Sequence, residues 1–164
     1  MANEAGAEFW DWALKTYDKG RVSEICLELQ DDHGQCVPLL LWAIWLGTKN
    51  LIVEVAMAET AANMARAWVE EVLIPVRGVR RRLKHSVRDM EDAPRLHVRE
   101  QIKALELEVE RQLMLGLAGL TGAAPDRSDT SHCLENAVVV ARSWLTKVPR
   151  AALVRLIDAI ESQA

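Results

Sequence analysis

The chain is 164 residues long, half of them apolar and 27% charged, with a formal net charge of −4. That length sustains one hydrophobic core, and the scarcity of Gly and Pro excludes disordered and collagen-like classes. The acidic balance supplies no global field for nucleic acid, and three cysteines, an odd number, argue against a disulfide framework.

Residues 1–8 carry neither a basic nor an apolar leader pattern; they are expected to form a disordered N-terminus on a cytoplasmic chain with reduced thiols. From residue 9, Phe9, Trp10, Trp12, Ala13, Leu14 and Tyr17 fall on one helical arc opposite Asp11, Lys15 and Asp18, which predicts an amphipathic helix that Gly20 breaks. A second helix, 22–33, turns Val22, Ile25, Cys26, Leu29 and His33 to one side and Glu24, Glu28 and Asp31 to the other, and Gly34 stops it.

Residues 37–46, "VPLLLWAIWL", lack any charged side chain. As a helix they extend about 15 Å, whereas a membrane span needs about 20 apolar residues. They therefore predict no span but a helix apolar on all sides, buried in mid-domain, with Pro38 in its first turn and "GTKN" (47–50) ending it.

Met57, Ala61, Met64, Trp68 and Val72 recur at helical steps, so 51–74 reads as a helix that Pro75 must kink or end. Val76, Val79, Leu83 and Val87 make a further stripe. "DMEDAP" (89–94) reads as a turn, and 95–117 as a helix on Val98, Ile102, Leu105, Val109 and Leu113. "TGAAPDRSD" (121–129) is a loop before a C-terminal helical pair, which carries Leu134, Ala137, Val138, Ala141, Trp144 and Leu145 and then Leu153, Leu156, Ile157 and Ile160. No period-two segment competes. The expectation is an all-α, compact single-domain bundle over 9–164, with six or seven helices, one of them fully buried and apolar.

The stretches 9–46, "WVEEVLIPVRGVRRRLK" (68–84) and "ELEVER" (106–111) resemble an uncharacterised bacterial family of small all-helical proteins of unknown function. Its LQD-x-HG and P-x-R-x-x-RR-x-LK elements are present here as "LQDDHG" (29–34) and "PVRGVRRRLK" (75–84). The resemblance covers roughly 9–115 and implies no activity. Pro38 stands where that family's pattern has a polar residue.

Four constellations bear on chemistry. Cys26, His33 and Cys36, with His132 and Cys133, are zinc-type ligands, but C-x6-H-x2-C is no structural zinc spacing. With Cys26 and His33 on an apolar face, buried thiols and a core histidine are expected, and no metal or cofactor. In "QDDH" (30–33) neighbouring side chains diverge around the helix, and the chain has no nucleophile turn, phosphate loop or H-E-x-x-H pattern. The chain is therefore not read as an enzyme, and Gln30, Asp31 and His33 stand as a candidate pocket edge.

"VRGVRRRLKHSVR" (76–88) holds six Arg and Lys residues. On one helix Arg77, Arg81, Lys84 and Arg88 fall within about 60° and form a basic ridge. An antiparallel hairpin with the next helix sets Arg77 beside Glu106, so Arg77 is expected to pair internally while Arg81, Lys84 and Arg88 face outward. Finally, the first helix has an apolar arc wider than one neighbour covers, which implies deep burial or aromatic anchors for a partner.

The leading expectation is a cytoplasmic, non-catalytic protein–protein interaction module that binds another protein or itself. The alternative is a small anionic-ligand-binding or enzymatic domain using the ridge beside the Gln30–His33 turn. RNA or DNA binding by the ridge is the weaker alternative.

Overall fold

The computed structural model describes residues 2–120 and 131–162, so the loop expected at 121–129 lies outside them. The helices are α1 (Ala2–Tyr17), α2 (Val22–Asp31), α3 (Val37–Thr48), α4 (Val55–Trp68), α5 (Ile74–Arg82), α6 (Asp92–Gly119), α7 (Cys133–Trp144) and α8 (Arg150–Glu161). Among the described residues there is no β-strand. The chain is all-α, as its periodicity predicts.

α4 and α5 form one rod through a π-helical turn, Val69–Leu73, where the N–H of Ile74 donates to the carbonyl of Val69. The wide turn changes the hydrogen-bond register just before Pro75, which then occupies the first turn of α5. Pro75 thus opens a helix segment within the rod instead of ending the rod.

α1 begins at Ala2, so that residues 2–8 are helical. α1 lies along α6, with Gly6 so close to Leu115 that an added Cβ would meet its Cδ2 at 2.6 Å. Phe9 is fully buried, with its ring centroid 5.0 Å from that of Trp45.

α3 is the buried helix that its sequence predicts: every residue from Leu39 to Gly47 is buried. It contacts α1, α2, α4, α6 and α7. It ends at Thr48, within the "GTKN" stretch expected to end it, and Gly47 has a further role. A Cβ there would lie 2.6 Å from the backbone of Cys133, so the glycine lets α7 cross in close approach. Asn136 of α7 fastens the exit from α3, accepting from the N–H of Val53 at 2.9 Å and donating to the carbonyls of Leu51 and Ala43 at 2.8 and 3.2 Å. On α4, Ala58, Ala61, Ala62 and Ala65 are buried, and their small side chains allow close packing on α6 and α7.

α5 and the first half of α6 form an arm. No residue of α5 is buried, and it packs chiefly on α6 and the π turn. In α6, Val109, Leu113 and Leu117 enter the core, but Val98 and Leu105 are 44% and 49% exposed. The expected apolar seam is thus core only from Val109 onward, because α5 meets the outer half of α6 with arginines.

Candidate functional site

α2 ends at Asp31, and Gly34 takes a left-handed φ of +63°, which glycine adopts without strain. The N–H of Gln35 then donates back to the carbonyl of Leu29 at 2.9 Å. This reversal carries Gln35 and Cys36 inward, ahead of Pro38 and the apolar helix. From α7, the indole N–H of Trp144 donates to the Gly34 carbonyl at 2.8 Å and pins the turn. Arg66 of α4 lies over the Trp144 ring, 4.7 Å from its centroid, and donates to the carbonyls of Ser143 and Trp144.

Between this turn and the start of α5 lies a cavity of about 180 Å³, whose lining includes Gln30, Gln35, Cys36, Ile74, Arg77 and Trp144. Gln35 is 3% exposed, and its Nε2 and Oε1 are both buried with no hydrogen-bond partner among the described residues. Buried polar atoms are nearly always paired, so an idle donor and an idle acceptor on one side chain call for an explanation. The buried indole N–H of Trp42 is also unpaired, but Trp42 lines no cavity described here.

A second cavity of about 230 Å³ adjoins the first and is an apolar groove along Trp10, Leu14, Tyr17, Leu27 and Leu107, with Glu110 in its wall. Gln30, Val37 and Pro38 line both cavities. The Arg77–Glu110 ion pair, 2.7 Å, links one lining to the other. Burial raises the pKa of the Glu110 carboxyl, against the opposing pull of Arg77. Burial also pushes the thiols of Cys26 and Cys36 up to about 12, so neither is poised as a nucleophile.

The basic ridge is only partly assembled. α5 ends at Arg82 because the chain turns at Leu83, whose carbonyl is capped by the buried guanidinium of Arg95. Arg95 is itself held by Asp92 at 2.7 Å. Lys84 and Arg88 therefore fall beyond the helix, and the four-residue ridge expected from helical spacing does not form. Arg77 does pair internally: it lies 3.8 Å from Glu106, as expected, and closer to Glu110. Arg80, which lies off the expected ridge, takes Glu106 at 2.5 Å. Arg81 and Lys84 are exposed, their side chains with no hydrogen-bond or ion-pair partner among the described residues, and exposed Arg88 lies 3.8 Å from Asp89.

Of the candidate pocket edge, Gln30 lines both cavities; Asp31 and His33 line neither. The side chain of His33 is not in the core but 32% exposed, its Nε2 3.7 Å from Glu28, because α2 stops before its helical phase reaches residue 33. Glu28 is also gripped by Arg155 of α8 at 2.5 and 3.1 Å, which lowers the pKa of its carboxyl. Cys26, Cys36 and Cys133 are free and buried. Among the described residues no group of three or more His, Cys, Asp or Glu side chains is placed to hold a metal, and no helix is long and apolar enough to cross a membrane.

Sequence reasoning missed Gln35 and Trp144. A polar residue between Gly34 and ten apolar-run residues was the available signal for the first; nothing local signals that Trp144 reaches the turn.

No curated protein and no solved structure matches the chain. A family model does match residues 8–117, a span that holds the turn, the buried helix, Arg77 and its glutamate partners, while α7, with Trp144, lies beyond it. The chain belongs to a protein family of unknown function, DUF2390.

Proposed function

We propose that the chain is a non-catalytic binding domain that recognises a small molecule in the cavity between the Gly34 turn and α5. The observation that carries this reading is Gln35, a residue that lines a cavity together with Arg77 and whose carboxamide is buried and unpaired. Such an arrangement disfavours the empty protein and becomes favourable when a ligand supplies the missing partners. The two cavities are each below the roughly 300 Å³ at which drug-sized ligand sites begin. Their volumes together exceed it. A fragment screen by ligand-observed NMR tests the reading: hits should be lost with Gln35→Met, and a hit list unchanged by that substitution contradicts it.

A second reading, the protein–protein interaction module, is supported by the arm. Val98 and Leu105 lie seven residues apart on one face of α6, both exposed, and the side chains of Arg81, in the last turn of α5, and Lys84, just beyond it, have no ion-pair partner among the described residues. Sedimentation analysis tests its self-associating form: a dimer dispersed by Leu105→Glu supports it, and a monomer at all concentrations counts against it.

A further inference from the structure

We propose that the pocket takes a small uncharged ligand by a cis-amide edge, a carbonyl and an N–H on the same side of the molecule, as in a primary carboxamide, a lactam or a nucleobase. The inference rests on the pocket being a ligand site and names what it selects.

The first argument is hydrogen-bond complementarity. A Gln carboxamide offers a donor, Nε2, beside an acceptor, Oε1, and both are idle in Gln35. One group satisfies both at once if it presents an acceptor and a donor side by side in the reverse order. A cis amide does so. A carboxylate brings acceptors only and sets an oxygen against Oε1, and an ammonium brings donors only and leaves Nε2 unmet.

The second argument is charge. The arm places two guanidinium groups, Arg77 and Arg80, against two carboxylates, Glu106 and Glu110. The set is already neutral. An anionic ligand at Arg77 has to share the guanidinium with Glu110 and adds a negative charge to a balanced set. An uncharged ligand leaves the pair intact. This overrides the first impression, from a run of six basic residues, that the site selects an anion.

The third argument is the body of the ligand. The cavity wall includes the Trp144 side chain and apolar Val69 and Leu73, and the neighbouring groove is apolar, so a planar or apolar frame behind the amide edge is accommodated. Gln35 lines the wall with its carboxamide atoms shielded from solvent, so a ligand reaches them only when the wall shifts. Ile74 lines the same cavity and is 57% exposed.

Calorimetric titration of the full chain with nicotinamide, uracil, nicotinate and inorganic phosphate tests this. Nicotinamide or uracil should bind at least tenfold more tightly than nicotinate or phosphate, and the preference between the two separates an exocyclic carboxamide from a ring lactam. Gln35→Met should weaken the amide at least tenfold, as should Ile74→Trp, which adds bulk to the cavity lining at an exposed position. If nicotinate or phosphate binds more tightly than either amide and is lost with Gln35→Met, the amide class is overturned while the pocket stands. If no probe binds, or binding is indifferent to both substitutions, the pocket reading falls and this inference with it.

Discussion

Replacing Gln35 by Met should make the protein more stable. The two side chains are nearly equal in length and volume, so the core neither opens nor overfills. Met needs no hydrogen bonds, whereas the Gln carboxamide at 3% exposure makes none. Leaving such a group unsatisfied costs about 1 to 3 kcal/mol, and removing it should return about that much. For a domain of this size each kcal/mol corresponds to about 2 to 4 °C in melting temperature. Urea unfolding followed by tryptophan fluorescence, which the six tryptophans make sensitive, gives the free energy directly. The midpoint should rise with the slope unchanged. A loss of more than about 1 kcal/mol would refute the reasoning, since it would mean that the carboxamide makes hydrogen bonds within the protein and has nothing left to offer a ligand. A gain fits a residue kept for function at the expense of stability.

Gly47→Ala should destabilise by about 1 to 3 kcal/mol, because the new methyl meets the Cys133 backbone and α7 must shift; thermal denaturation reads this. Asn136→Ala should lower the unfolding free energy by about 2 to 4 kcal/mol, since it strands the Val53 N–H and the carbonyls of Leu51 and Ala43; amide hydrogen exchange at Val53 should rise with it. A double-mutant cycle on Arg80 and Glu106 should give a coupling above about 0.5 kcal/mol, and a smaller value means the pair contributes nothing beyond additivity. The elevated pKa of Glu110 makes a signed contribution: it is fully present below the ordinary value of 4.5 and is lost as pH rises through the elevated folded value. Glu110→Gln should remove that slope from a stability–pH profile. Glu28, held down by Arg155, acts in the opposite sense, contributing above its ordinary value and losing that contribution as pH falls through the lowered one.

The buried helix was legible because ten apolar-run residues leave no wet face, and the stop at Gly34 was legible because few other residues adopt a positive φ. The hairpin register followed from the turn, so Arg77 and Glu106 could be placed together before the glutamate one turn further on was seen to be the closer partner. Helical phase misled wherever the helix had already ended. It placed His33 in the core and strung Lys84 and Arg88 onto the ridge, because spacing carries no information on where capping by Arg95 or the turn at Gly34 stops the helix. The end of α3 within "GTKN" was legible, but the close approach at Gly47 was not: a glycine that ends a helix and one that lets another helix approach look the same in one dimension. The pocket was half legible. Gln30 and Arg77 belong to recognisable motifs, but Gln35 gains its meaning from burial without a partner, and Trp144 arrives from a helix more than one hundred residues away.

The most direct test of the central claim is the side-chain amide resonance of Gln35 in a proton–nitrogen correlation spectrum, assigned by its loss in Gln35→Met. In the free protein its protons should exchange slowly and lie at shifts typical of amides without hydrogen bonds, since the group is buried and unpaired. On titration with nicotinamide or uracil, whichever binds, this resonance should move further than any other side-chain amide and saturate with the binding isotherm. A Gln35 resonance that already has hydrogen-bonded shifts in the free protein, and that stays fixed while the probe saturates, would contradict the account.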